Sequence, residues 1–445
     1  MSKTADVEKA SGPQRSSGDI EKAAEATSSV EEELKPTVSI SQTVTGALTK
    51  TLSRVRTKDG IDPGPPPDGG LRAWLTACMA HLVIFNTWGF INSFGLFQTF
   101  YVEVMKIGGP SSVAWIGTTQ VFVLFGMGTF TGRGLDAGFF KLQFISGSII
   151  YVIGMFLLSL CDQYWQIFLA QTLCVGMGYG LVFVPTLALV STYFLKKRST
   201  GLAIAVTGSA TGGLVFPAIA EKMLPTVGFA WTVRTMAFLQ MTLAIVSAIF
   251  LKATSFAAAK VWTFGRMVCV QGDTIYTLCD WIFPVLLERA TSINLLMVLN
   301  GVGVPGRILP AYIAQRWIGP LNLMIPTVAT AGAILYCWTG VDSATGLWIW
   351  ASFYGVAAAG LQALFPVVLT SLTTDPKKAG VRAGMGFSIV GCAVLTGPPI
   401  AGALVQKDGG GFVGLQLFSA TSMVASAAVL VCVRFAAVGW KRAKL

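Results

Sequence analysis

The chain has 445 residues, of which 53% are hydrophobic and only 12% are charged, with a formal net charge of +11. A soluble domain has about 25% charged residues, so this composition argues against a surface that faces water all round. The positive charge does not indicate a nucleic-acid partner, because residues 1–62 hold nine basic and ten acidic residues and the surplus lies among apolar stretches. The composition favours an all-α membrane protein that crosses the bilayer several times.

Residues 1–67 are rich in Ser, Thr, Glu, Lys and Pro. Such a segment buries too little apolar area to offset the entropy lost on ordering, so it is predicted to be a disordered tail. It lacks the basic, apolar and small-residue order of a secretory signal peptide. The first membrane helix is therefore expected to direct insertion.

Twelve apolar spans are predicted after this tail, each long enough to cross a hydrocarbon core about 30 Å thick. Basic residues concentrate in the loops on the tail side of the membrane, so the positive-inside rule predicts that both termini are cytosolic. The plasma membrane is the expected location, with the vacuole or another endomembrane as the alternative. The spans are 73–98, 113–132, 142–160, 165–193, 200–220, 230–251, 261–286, 292–315, 319–340, 345–372, 382–405 and 412–437.

One helical hairpin pattern occurs twice in the chain, first in residues 181–217 and again in residues 363–402. This repeat predicts two six-helix halves, 68–251 and 261–437, with a linker at 252–260 and a cytosolic tail at 438–445. The arrangement resembles the major facilitator architecture, in which the substrate site lies between the halves near mid-bilayer. The matched pairs are Pro185 with Pro366, Arg198 with Arg382, Gly208 with Gly391 and Pro217 with Pro399.

Four residues are candidates for a role in conformational change. Gly208 lies in a helix rich in small residues, which permit close helix packing; it could serve a sliding interface between the halves or static packing. Asp136 and Arg133 lie in the tract GRGLDAG, which partly resembles the loop motif of the superfamily; Asp136 could latch the inward-closed state or be a solvated surface acid. Arg198 follows two lysines in a basic loop, and its simplest role is to help fix that loop on the cytosolic side of the membrane.

Four other residues are candidates for substrate binding. Arg307 is costly at mid-span in hydrocarbon and its planar fork suits a carboxylate, so it is expected to face a cavity. Gly306 and Pro310 favour a broken helix there, and the alternative is an arginine that extends to the membrane interface. Asn92, Asn86 and Gln120 are candidate cavity-lining polar groups. His81, the only histidine, is more simply structural than a proton relay.

Nucleotide-binding and hydrolase motifs are absent from the sequence, since no GxxxxGK[ST], HExxH or GxSxG occurs. The eight cysteines occur singly, without CxxC spacing, and are interpreted as buried hydrophobes. The chain is therefore not expected to be an enzyme or to need a metal or other cofactor.

Two tracts resemble signatures of the monocarboxylate transporter family in its fungal form. The first is Asp68-Gly69-Gly70-Leu71-Arg72-Ala73-Trp74, and the second is Tyr193-Phe194-Leu195-Lys196-Lys197-Arg198 followed by a Gly/Ala-rich helix. The resemblance covers roughly 66–251 and 293–437. It implies a transporter of a small organic acid or secondary metabolite, with protons as a further candidate partner.

Three features depart from that family. Asn92 occupies the apparent position of a coupling lysine, and Gly303 replaces the acidic companion of the arginine that Arg307 matches. Span 261–286 contains Arg266, Asp273 and Asp280, each costing about 2.5–3.5 kcal/mol at a helix centre, so it is functional, degenerate or the result of a gene-model error. The expected function is alternating-access transport of a small anionic solute through the lipid bilayer, in the direction of efflux or uptake, without nucleic acid or an obligate protein partner. A non-transporting or sensor-type relative is the alternative.

Overall fold

The computed structural model describes residues 68–194, 196–251, 289–372, 379–409 and 411–439. Ten helices in these ranges are long and apolar enough to cross a membrane. We number them in chain order. They are α1 Gly70–Glu103, α2 Pro110–Asp136, α3 Phe140–Leu158, α4 Tyr164–Tyr193, α5 Arg198–Phe250, α6 Arg289–Ile313 with its π-helical extension Ala314–Ile318, α7 Pro320–Trp338, α8 Ala344–Ser371, α9 Ala379–Lys407 and α10 Val413–Val438.

Helix α5 is 53 residues long and contains two of the predicted spans. It changes direction at Gly228, whose φ of 77° and ψ of 176° are not helical and suit a residue without Cβ. We call the segments before and after it α5a (198–227) and α5b (229–250). The described helices thus account for eleven of the twelve predicted spans. Span 261–286, the linker 252–260 and the tail 1–67 lie outside the described residues.

The prediction of a broken helix around Gly306 and Pro310 was wrong. Helix α6 continues through both residues, and its irregularity is the π-helical turn Ala314–Ile318. A second π-helical segment, Phe168–Val175, lies inside α4. A π-helical turn leaves some backbone N–H and C=O groups without their usual helical partners. Neighbouring helices can offer hydrogen-bond partners to such groups, whereas lipid hydrocarbon cannot.

Two hydrophobic cores form, one built mainly from α1–α5 and one built mainly from α6–α8 and α10. Large aromatic side chains pack inside each core. In the second core the Trp350 ring stacks on Trp338 with centroids 4.5 Å apart and on Tyr354 with centroids 5.1 Å apart. Phe387 and Val390 of α9 belong to the first core although they come from the second half of the chain. The two halves of the repeat are therefore also held together by apolar packing.

The halves meet mainly through two helix pairs, α2 with α9 and α5 with α6. A two-fold repeat of six spans relates these pairs, because it moves span 2 onto span 8 and span 11 onto span 5. In the first pair Gly128 and Gly132 face Gly384 and Gly380, and a Cβ on Gly132 would collide with the carbonyl oxygen of Gly380. Small residues four positions apart thus let two helix backbones touch, as is common between membrane helices.

Candidate functional site

The loops between α2 and α3 and between α4 and α5, the C-terminal end of α8 and the N-terminal end of α9 lie at one end of the bundle. We call this end the basic face, after Arg133, Lys197, Arg198, Arg316 and Arg382. Hydrogen bonds join the two halves there: Thr129 Oγ1 lies 2.7 Å from Ser388 Oγ, and Thr200 Oγ1 donates to Gln315 Oε1 at 2.7 Å. The structure is closed at its basic face.

Asp136 is part of this closure. Its carboxylate accepts hydrogen bonds from the backbone N–H of Gly380 at 3.1 Å and of Val381 at 2.9 Å, at the first turn of α9. An acid at a helix N-terminus satisfies amides that have no partner within the helix and is attracted by the helix dipole. Asp136 therefore caps the N-terminus of α9 across the boundary between the halves, and its role as a latch stays a prediction.

Gln315 plays the corresponding part in the other helix pair, and sequence reasoning missed it. Its Oε1 accepts from the backbone N–H of Thr200 at 3.3 Å as well as from the threonine hydroxyl, at the first turn of α5. Each half thus supplies a side-chain oxygen, Asp136 or Gln315, to the N-terminus of a helix in the other half. A neutral amide at this position carries no charge signal by which the sequence could have shown it.

Arg198 also bridges the halves at the basic face. Its Nε donates to the carbonyl oxygen of Phe194, and its Nη1 donates to that of Thr370 near the end of α8, both at 3.2 Å. A cation at a helix C-terminus complements the dipole there. Arg133 is exposed at the same face, and a role for it in gating stays a prediction.

Gly208 lies within the first half and not between the halves. A Cβ there would collide with the carbonyl oxygen of His81, so α5a and α1 touch through this glycine. The imidazole of His81 completes the contact: Nδ1 lies 3.0 Å from the carbonyl oxygen of Ile204 and Nε2 lies 3.1 Å from Thr211 Oγ1. Since a carbonyl only accepts, Nδ1 carries the proton. This placement favours the packing interpretation for both residues.

Asn86 and Gln120 lie inside the first half, only 2% and 1% exposed. Asn86 Nδ2 donates to the carbonyl oxygen of Gln240 at 3.1 Å, and Gln240 Nε2 donates to the Tyr179 hydroxyl at 2.9 Å. Gln120 Oε1 accepts from Gln171 Nε2 at 3.2 Å. These amides join α1, α2, α4 and α5b to one another, so the structure does not bring them to the boundary between the halves.

Asn92 does lie at that boundary. Its Nδ2 donates to the carbonyl oxygen of Ser209 at 3.1 Å and lies 2.7 Å from the point that a Cβ on Gly213 would occupy. Asn300 Oδ1 of α6 is 2.7 Å from the same point. Among the described residues this buried oxygen has no hydrogen-bond partner. Gly213 thus allows two amides from opposite halves to meet, and Asn300 is a further candidate that the sequence did not single out.

Arg307 is 1% exposed and lies in the middle of α6. Its Nη2 donates to Gln362 Oε1 of α8 at 2.6 Å. A Cβ on Gly303 would lie 2.5 Å from Arg307 Nη1, so the glycine leaves the space in which the guanidinium folds back along its own helix. Position 303 therefore leaves no room for an acidic side chain, because a side chain there would compete with the guanidinium for the same volume.

The two signature tracts contact one another at the basic face. Asp68 Oδ1 accepts from the backbone N–H of Lys196 at 2.6 Å, and the Trp74 ring lies 5.1 Å from that of Phe194. The ammonium of Lys197 lies 6.0 Å from the Trp74 ring centroid. The aspartate has a φ of 50°, in the left-handed region, which allows its N–H to reach the carbonyl oxygen of Tyr193.

No family model matches the chain. It is 38% identical over 393 residues to an MFS-type transporter of Gibberella zeae, covering 84% of this chain and 89% of that protein. The MFS-type transporter dbaD of Emericella nidulans is 33% identical, with 82% and 87% covered. The aspyridones efflux protein of the same fungus is 31% identical, with 81% and 77% covered.

The chain belongs to the MFS-type transporters. The solved structure of a human organic anion transporter (TETRAN) has the same fold, with a TM-score of 0.61 at 11% identity, over 82% of this chain and 99% of that chain. This transporter is therefore an all-α, multi-pass membrane protein of the major facilitator superfamily and acts as a secondary transporter, not an enzyme.

Proposed function

We propose that this transporter exports a small organic anion by alternating access, with the guanidinium of Arg307 binding the anionic group. The observation that carries the proposal is the full burial of an arginine at the centre of a membrane helix, hydrogen-bonded to the neutral amide of Gln362. A charge in that position costs several kcal/mol, so intramembrane cations face a partner or a ligand path. A guanidinium can hold a carboxylate or enolate through two parallel bonds.

Asn92 and Asn300 would supply the neutral polar contacts. Burying a polar atom without a hydrogen bond costs about 1–3 kcal/mol, and a hydroxyl or N–H on the substrate would recover this for Asn300 Oδ1. Asn86 and Gln120 would support the wall of the site from inside the first half. Protons stay a candidate coupling partner, although position 303, where the family carries an acidic residue, is a glycine in this chain.

Efflux, membrane side and subfamily belong to the same proposal. A relative with 31% identity is named as an efflux protein, which favours export. The basic loops favour an orientation in which the basic face and both termini are cytosolic. We propose the plasma membrane as the location. Contact between the two signature tracts supports a place near the fungal monocarboxylate-transporter-like proteins.

The test compares organic acids in cells and medium with and without the gene, and then measures flux of the identified acid in proteoliposomes. We expect the acid to accumulate inside cells that lack the gene. Arg307→Gln should lower flux by at least 100-fold, because a lost charge-assisted pair of about 3 kcal/mol corresponds to that factor. Arg316→Gln removes an exposed charge from the same helix and is the matched control. Full flux in Arg307→Gln, or no change in any acid on deletion, would refute the proposal.

A further inference from the structure

Five aromatic rings form a continuous cluster across the boundary between the halves. We call it the aromatic floor; it consists of Trp88 of α1, Phe125 of α2, Phe183 of α4, Phe365 of α8 and Phe387 of α9. The Phe125 and Phe387 rings, from opposite halves, stack with centroids 5.4 Å apart and planes 12° apart. Trp88 lies 5.7 Å from Phe125, and Phe365 lies 5.3 Å from Phe387. Phe183 contacts Trp88, Phe125 and Phe387 at 5.9, 6.0 and 5.5 Å.

The members of the aromatic floor differ in exposure. Phe125, Phe183 and Phe387 are 1%, 4% and 5% exposed, so they form a buried wedge. Trp88 and Phe365 are only partly buried, and they come from different halves. Phe365 packs against both hydrophobic cores. The cluster thus presents one accessible ring from each half above a closed apolar base.

Each accessible ring has a polar candidate one helical turn away. Trp88 precedes Asn92 by four residues, and Phe365 follows Gln362 by three, so each pair shares a helix face. In both helices the ring lies on the side of the basic face, about 6 Å along the axis from Asn92 in α1 and about 4.5 Å from Gln362 in α8. An anion held by Arg307 and Gln362 would therefore place the rest of its body against Phe365 and Trp88.

We infer that the aromatic floor is a binding subsite for a planar aromatic or conjugated ring carried by the substrate anion. The inference rests on the proposed binding of an anion at Arg307. Trp88 and Phe365 contact the ring, and the buried phenylalanines hold these two side chains in place. Rings that stack or meet edge to face gain attraction beyond the area they bury, which a saturated ring of equal size does not.

A purely sealing role is the competing explanation. In that case the five rings only close the path to the basic face, and weakening them changes the balance between conformations. All substrates would then be affected alike, whether or not they carry an aromatic ring. A comparison of aromatic and saturated acids separates the two roles.

The probes are 2-naphthoate and decalin-2-carboxylate, which share the carboxylate and the fused two-ring outline. Their Kd values are measured by calorimetry on the purified full-length protein. We expect 2-naphthoate to bind about tenfold more tightly, the factor that stacking on two rings provides. Phe365→Leu should remove most of this preference while changing the Kd of the saturated acid less than about twofold, and Phe365→Tyr should restore it. Phe238→Leu, at an exposed ring on α5b, is the matched control.

The outcomes are distinct. Equal binding of the two acids to the wild-type protein, a preference that survives in both Phe365→Leu and Trp88→Leu, or equal weakening of both acids would overturn the ring subsite and leave the anion proposal standing. Binding of neither acid by well-folded protein would overturn both. A melting curve of each variant shows that it is folded, so that lost preference is not mistaken for lost structure.

Discussion

Asp136 caps α9, and we can estimate from this contact how much free energy one side chain contributes to the closed conformation of the basic face. Asp136→Ala removes the acceptor for the N–H groups of Gly380 and Val381, together with a charge at a helix N-terminus. Charged hydrogen bonds contribute about 1.5–3 kcal/mol and the dipole term about 0.3–1, but water reaches the amides once the face opens. A net loss of about 2–3 kcal/mol corresponds to an open population about 30- to 160-fold larger.

Cysteine labelling measures that population. Ser388 contacts Thr129 between α2 and α9, so a Ser388→Cys thiol, in a background without other cysteines, is covered while the face is closed. If opening is fast relative to labelling, the maleimide rate follows the open population and should rise by the same factor. Asp136→Asn keeps one acceptor oxygen and should give about a tenfold rise. Asp342→Ala, at an exposed acid near the opposite end, is the control. An unchanged rate in Asp136→Ala, or an equal rise in the control, would refute the reasoning.

Two further predictions concern packing. Gly132→Val should open the basic face in the same labelling assay by at least tenfold, because its Cβ would collide with the carbonyl oxygen of Gly380; Gly126→Val on the same helix, where a Cβ meets nothing within 4 Å, should change the rate much less. An equal effect of the two variants would contradict the close contact. Gln240→Leu should lower the free energy of unfolding by about 2 kcal/mol, since it leaves the buried hydroxyl of Tyr179 without its partner. Thr242→Val, at an exposed hydroxyl bonded within its own helix, is the comparison, and equal melting temperatures in the two variants would count against the network.

The spans and the repeat could be predicted because apolar length and the spacing of Pro185 and Pro366 are properties of the sequence alone. The course of α5 could not, since Gly228 gives no sign of whether a glycine ends one helix or bends a continuous one. Arg307 could be singled out because a mid-span charge is costly whatever surrounds it. The broken helix expected beside it was wrong because neighbouring helices can satisfy a backbone that contains proline.

Polar and small residues were harder to place, and the reason is geometric. Asn86 and Asn92 lie six residues apart in one helix, yet one faces the interior of its own half and the other faces Asn300. Their identical chemistry cannot show which neighbour each will meet. Gly208 and Gly132 raise the same difficulty, because a glycine permits close approach without naming the partner helix. Only the packed structure assigns Gly132 to the boundary between the halves and Gly208 to the interior of one.

The two signature tracts and the proposed substrate site lie in different parts of the molecule. The tracts can therefore account for closure of the basic face but not for substrate choice. Asp68 and Trp74 fix the loop before α5 through Lys196 and Phe194, and Arg198 from that loop reaches the carbonyl oxygen of Thr370 in the other half. The signature tracts therefore form a continuous set of contacts that ends in the closure of the basic face. Proteins that share these tracts need share only this closing device, since the proposed anion and ring contacts come from residues outside both tracts. In this transporter, substitutions at the proposed site residues of α1, α6 and α8 would therefore leave these closing contacts in place.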